Sequence, residues 1–179
     1  MGDKERALID SFKGALPPAL QSEKWWMIPE VPVGTRIDAK EGWHLSNKSI
    51  DLLMVEKEGG NGGELSMLEH PPGKIGPKRL AQMLKSQGLL RNRKVWIIEA
   101  KSGRTIKSRI RAARLWEGIG QVLCYAALAR EDYAVTVVGC GVVYGTRPDG
   151  SRDETVEHVA ELLSKTYGFN LQLFPYGGP

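Results

Sequence analysis

Two acids interrupt the most apolar stretches of the chain: Asp51 is the third residue of SIDLLMV, and Glu99 lies near the end of VWIIEAK. An ionised carboxylate among such neighbours is costly unless a cation, a metal or water reaches it. Side chains two apart in a strand project to the same face. Glu99 and Lys101 therefore present a carboxylate and an ammonium side by side. A second carboxylate from a neighbouring strand would complete a hard-oxygen site suited to Mg2+ or Mn2+. The ammonium beside it could orient a water or stabilise charge on a phosphate. Gln121 and Tyr125, four apart in GIGQVLCYAAL, share one helix face, with Glu117 one turn earlier. If buried, this polar pair needs hydrogen-bond partners, which the lysine or metal-bound solvent would supply. A lone Glu–Lys pair on a strand surface contributes little; its company in this chain is what points to chemistry.

Positioning these side chains takes strands and a helix, and the sequence supplies both. Residues 4–16 read as a helix, with Asp3 as cap, an apolar stripe of Leu8, Ile9, Phe12 and Leu16, and Pro17-Pro18 as its stop. Trp25 to Val33 is extended, and its two prolines suit an edge strand. Residues 34–48 read as a polar turn, Ile50 to Val55 as a buried strand, and GGNGG at 59–63 as a loop. A short helix is expected over 77–87, with Pro77 in its first position and Gly88 past its end. Val95 to Ala100 is a second apolar strand, 109–130 a long helix, and Val135 to Tyr144 a third buried strand. Ser151 and Glu154 make a capping-box signature for a helix running to Tyr167, stopped by Gly168; Leu171 to Phe174 is a last strand. This mixed order predicts an α/β layered domain spanning 1–179.

The chain has 179 residues, 41% hydrophobic and 26% charged, which suits one domain with a real core and excludes wholesale disorder. Cys124 and Cys140 are too few for a disulfide framework or a tetrahedral zinc site. The longest apolar stretch, Tyr133 to Tyr144, is too short for a membrane span, and MGDKERALID has no apolar signal core. A soluble, cytoplasmic protein that engages no membrane is expected. The net charge of +4 hides an asymmetry: Lys74 to Arg114 holds 13 basic residues and one acid, Glu99. A run this one-sided, on ordered elements, is expected to face a polyanion such as DNA.

The order Asp51, then Glu99-Ala100-Lys101, then Gln121-x-x-x-Tyr125 resembles the PD-(D/E)xK nuclease superfamily, the restriction-endonuclease-like fold. The Gln-x-x-x-Tyr element is similar to its RecB-like branch, and the layout is similar to small archaeal and viral nucleases and Holliday-junction resolvases. The resemblance covers roughly residues 4–144 and implies an αβββαβ core, a central mixed sheet flanked by helices. Asp51 and Glu99 would then ligate Mg2+ or Mn2+, with the Ala100 carbonyl completing the protein ligands. Lys101 would position or activate the attacking water, and Gln121 and Tyr125 would organise the site and the DNA phosphate. Hydrolysis would leave a 3′ hydroxyl and a 5′ phosphate. An upstream glutamate often assists in this superfamily; Glu30 in PEVPV is the first choice and Glu5 the second. DNA would dock on Arg104, Lys107, Arg109, Arg111 and Arg114, and on Lys78 and Arg79 of the intervening segment.

The chain departs from the family pattern in three places. Ile50, not proline, precedes Asp51. The two acids are 48 residues apart, so 57–93 is read as a basic helical insertion, and 151–179 as a C-terminal helix and strand extension. Asp38 in TRIDA competes with Asp51, which is preferred because a buried strand continues from it. Two cysteines exclude the iron–sulfur variant of the RecB-like exonucleases. His44, His70 and His158 lack metal spacing, and Gly139-Cys140-Gly141 lies inside a strand, a poor place for a dinucleotide loop. Trp25, Trp26 and Trp43 read as packing residues, with Trp25–Trp26 leaving room for a homodimer interface. A non-catalytic DNA-binding or scaffolding module on the same fold is the rival expectation.

Overall fold

The computed structural model describes residues 1–34, 36–38, 42–44, 48–57, 62–69, 75–102, 108–146, 154–168 and 170–176. In chain order these form α1 (Asp3–Gly14), β1 (Trp25–Pro32), β2 (Arg36–Asp38), β3 (Gly42–His44), β4 (Ser49–Glu56), α2 (Gly62–Glu69), α3 (Pro77–Ser86), β5 (Lys94–Lys101), α4 (Ser108–Tyr133), β6 (Thr136–Gly145), α5 (Glu154–Tyr167) and β7 (Leu171–Tyr176). Five strands make one mixed sheet in the order β1-β4-β5-β6-β7, while β2 and β3 pair as a separate antiparallel hairpin. β1, β4 and β5 run antiparallel; β5, β6 and β7 run parallel. Parallel neighbours need crossovers, and α4 and α5 provide them.

Both faces of the sheet are covered, which is why β4 and β5 read as unbroken apolar runs instead of alternating ones. Leu52, Met54, Trp96, Ile98 and Val143 pack beneath α1 against Leu8, Ile9 and Phe12. Leu53, Val55, Val95, Ile97 and Val142 face the other way, toward Leu115, Ile119, Val122 and Ala129 of α4. Gly139 and Gly141 of β6 make room for rings on the α1 side. A Cβ would fall 2.4 Å from the Trp96 ring at Gly139 and 2.5 Å from Phe174 at Gly141. Phe174 in turn stacks obliquely on Phe12 at 5.1 Å between centroids.

Several elements differ from the sequence reading. Segment 34–48 is not simply a turn, since β2 and β3 lie within it. α2 begins inside the glycine-rich loop, so the stretch between β4 and β5 carries two helices, both packed on β1. Helix α1 starts at Asp3 itself, and the Gly2 N–H is donated to Glu5 Oε2 at 3.0 Å, so the glutamate does the capping expected of the aspartate. Ser151, expected to cap α5, lies outside the described residues. No described helix is long and apolar enough to cross a membrane.

Candidate active site

The antiparallel ladder between β4 and β5 runs from Val55↔Val95 to Leu52↔Ile98 and stops there. β5 continues to Lys101 with only β6 paired beside it, while β4 continues to Ser49 with only β1 beside it. The two strands thus part at Asp51. Two residues beyond Ile98, the Ala100 N–H is donated to the side chain of Asp51, the residue next to Leu52, with Oδ2 at 2.8 Å. In an extended strand a residue's N–H and C=O point to the same side, so the Ala100 carbonyl is directed into the same gap.

By strand alternation Glu99 and Lys101 share the parity of Ile97, the α4 side, and the charge of Asp51 reaches Glu99 and Tyr125 of α4. Asp51, Glu99 and Lys101 are buried, at 6%, 5% and 7% exposure, more than any other charged residue taken whole among the described ones. Lys101 Nζ donates to Glu99 Oε1 at 2.9 Å and lies 3.7 Å from the exposed Glu117 of α4. Glu99 Oε2 is buried without a hydrogen-bond partner among the described residues, and so is Gln121 Oε1. Burial, then the charge of Asp51, pushes the Glu99 carboxyl up to about 7 despite Lys101. Asp51 is also raised, chiefly by burial, with the Ala100 N–H acting against the shift. Tyr125 is pushed up to about 12 by burial and by the charges of Glu99 and Asp51, which keeps its phenol protonated at neutral pH. One under-compensated acidic cluster therefore gathers Asp51, Glu99 and Lys101, with Tyr125 near enough to feel both carboxylates.

Helix α4 comes this close because Gly118 has no side chain. A Cβ there would lie 2.9 Å from Val142 Cγ1 and 3.0 Å from Lys101 Cγ. Gly120, two residues on, faces open space. Glu30 falls between the register pairs Pro29↔Leu52 and Val31↔Ile50, with φ +51. It is 46% exposed and lies 3.9 Å from Arg6. The upstream acid whose charge reaches both Asp51 and Glu99 is Glu5, the second choice of the sequence reading. Tyr144, the β6 register partner of Lys101, donates to Glu157 Oε1 at 2.6 Å. No sequence spacing announces that pair.

The expected cationic residues are distributed unevenly. Lys78 and Arg79 are exposed on α3, and Arg114 is exposed on α4. Arg109 and Arg111 belong to the start of α4, whereas Arg104, Lys107, His70 and Lys74 lie outside the described residues. Part of the basic run is neutralised internally: Lys85 pairs with Asp132 at 2.8 Å, Lys94 with Glu56 at 3.3 Å, and Lys101 with Glu99. Trp25 is buried against α1, and Trp26 lies beneath the Lys57 ammonium at 4.6 Å.

Asp51, Glu99 and the Ala100 carbonyl are the groups able to hold a hard cation here. A cation bound there would satisfy the unpartnered Glu99 oxygen and lower the raised Glu99 carboxyl. No cluster of three or more His, Cys, Asp or Glu side chains able to hold a metal occurs among the described residues. Comparison with protein-family models, curated proteins and solved structures finds no match for the chain.

Proposed function

We propose that the chain is a metal-dependent DNA nuclease of the PD-(D/E)xK type. The observation that carries this reading is the meeting of Asp51 and Glu99 where β4 leaves β5, with Lys101 fixed on one oxygen of Glu99 and the other oxygen buried and unpartnered. The order α1, β1, β4, β5, α4, β6, with the first three strands antiparallel and β6 parallel to β5, supports the restriction-endonuclease-like core. The β2–β3 hairpin and the α2–α3 pair are then insertions. Asp51, Glu99 and the Ala100 carbonyl would hold Mg2+ or Mn2+, which when bound polarises a phosphate and lowers the pKa of its water.

The remaining work falls to the chain's own side chains. Lys101, held by Glu99, orients the attacking water or offsets charge on the phosphate. The free Gln121 oxygen accepts a hydrogen bond from that water, and the protonated Tyr125 donates to a phosphate oxygen. Exposed Lys78, Arg79 and Arg114, with the cations of 104–111, position the DNA backbone without reading its sequence.

Purified protein incubated with linear, tailed and four-way-junction DNA in Mg2+ or Mn2+ tests the reading. The expected result is cleavage to 5′-phosphate ends that falls ~100-fold or more in Glu99→Gln and in Lys101→Met. Cleavage at full rate in either variant contradicts it. The deep burial of all three charged groups and the internal Glu99–Lys101 bond favour a second reading, a non-catalytic DNA-binding or scaffolding module. DNA binding with no Mn2+ uptake by the folded protein would support that one.

A further inference from the structure

Four residues of β4 are held by β5; Asp51, Ile50 and Ser49 are not. Continuing the register would set Asp51 directly opposite Glu99 and Ile50 opposite Ala100. The Ala100 N–H would then pass from the Asp51 carboxylate to a main-chain acceptor, and the gap between the two acids would close. Something must hold the strands apart, because every further rung satisfies main-chain groups that otherwise need partners.

The restraint lies at the far end of α4. Beyond Asp51, β1 and β4 stay paired to each other as one arm, through Val31↔Ile50, Pro32↔Ser49 and the Val33 N–H to Lys48 carbonyl bond of 3.1 Å. Val31, Val33 and Ile50 are fully buried in the core on the α4 side. The end of the arm is bonded to two successive residues of the last turn of α4. The Gly34 N–H is donated to Asp132 Oδ2 at 2.6 Å, and the Tyr133 hydroxyl is donated to the Pro32 carbonyl. Gly34 takes φ +69, a conformation that suits glycine and turns its N–H toward the helix. Asp132 is itself fixed by Lys85 of α3, whose ammonium meets Oδ1 at 2.8 Å. Both carboxylate oxygens of a nearly buried aspartate are thus used on an arm and a helix that carry no reacting atom.

We propose that Asp132 and Tyr133 are positioning residues for Asp51: they anchor the β1–β4 arm to α4 and so keep β4 parted from β5 at the two acids. This rests on the nuclease reading only for its consequence in turnover. The parting of the strands and its effect on cation uptake stand on the geometry alone. Groups of this kind, which orient a ligand without touching the metal, change affinity or activity by ~10–100-fold when removed, and small misplacements at a reacting centre cost comparable factors.

The test uses the whole chain and two near-isosteric variants, Tyr133→Phe and Asp132→Asn, at a temperature where circular dichroism shows both folded. Three readouts are taken: Mn2+ affinity by calorimetry, amide hydrogen exchange at Ala100 in metal-free protein, and kcat and KM for DNA cleavage. The expected result is altered protection at Ala100, Mn2+ binding weaker by ~10-fold or more, and a fall in kcat with KM little changed. A lowered Tm with wild-type Ala100 protection and wild-type Mn2+ affinity makes the contacts merely structural and overturns the proposal. If wild type fails to cleave while the variants still shift Ala100 exchange and Mn2+ affinity, the nuclease reading falls and the positioning role survives. If wild type binds no Mn2+, unchanged Ala100 protection in the variants alone overturns it.

Discussion

Glu99 carries opposing demands. Its carboxyl is pushed up to about 7 by burial and by Asp51, so the folded protein holds a proton that an unfolded chain releases near 4.5. The sign follows from linkage: between those values the folded state binds more protons, so the metal-free fold loses stability as pH rises from about 4.5 to about 7. A bound cation needs the ionised form and competes with that proton. Mn2+ should therefore raise Tm more at pH 8 than at pH 5.5. Its apparent Kd should weaken by about tenfold for each unit below about 7. Calorimetry across that range checks this, and a flat Kd contradicts it. At this scale the sequence was informative where an acid broke an apolar run, because burial of a charge is costly whatever the fold. It could not choose between Glu5 and Glu30, since the choice depends on a positive φ at Glu30 and on how α1 lies across the sheet.

At the scale of elements, α4 works by proximity. Gly118 and Gly120 look alike in GIGQ, yet only Gly118 meets the sheet. Gly118→Ala forces a Cβ against Val142 and the Lys101 stem, and overpacking of that kind costs about 1–3 kcal/mol, more than the helix-propensity gain of about 1 kcal/mol. Gly120→Ala meets open space and should stabilise by about 0.5–1 kcal/mol. Urea denaturation of the two variants measures the contrast; equal effects would show that α4 does not pack as described. Strands with strong apolar runs, and helices marked by Pro77 or Gly168, were legible because propensity and packing agree there. The start of α2 within GGNGG and the β2–β3 hairpin were not, because tertiary contacts override local preference in such segments. The anchoring of the arm was also hidden, as it joins residues 98 apart in the chain.

For the whole molecule, charge and edges set what can approach. Internal pairing of Lys85, Lys94 and Lys101 leaves Lys78, Arg79, Arg91 and Arg114 among the exposed cations of the described part of the basic run. If DNA lies on them, binding is salt-dependent, and each Lys→Ala or Arg→Ala change should reduce the slope of log K against log salt by about 1. Fluorescence anisotropy over a salt series reads this directly; an unchanged slope in Lys78→Ala and Arg114→Ala would move the DNA path elsewhere. Each edge strand has one N–H taken by a side chain. The Met27 N–H of β1 is donated to Glu69 of α2, and the Leu171 N–H of β7 is donated to Ser164 of α5. The charge asymmetry was legible in the sequence, whereas its partial neutralisation depends on partners such as Asp132 and Glu56 that only the fold brings near.

On the nuclease reading proposed above, Asp51 and Glu99 take one divalent cation between them, in the gap where β4 leaves β5. Anomalous diffraction from crystals soaked in Mn2+ tests it most directly. The account predicts a peak about 2.0–2.6 Å from a carboxylate oxygen of each residue and from the Ala100 carbonyl. A saturated Mn2+ peak elsewhere, or none in this gap with both side chains ordered, would contradict it.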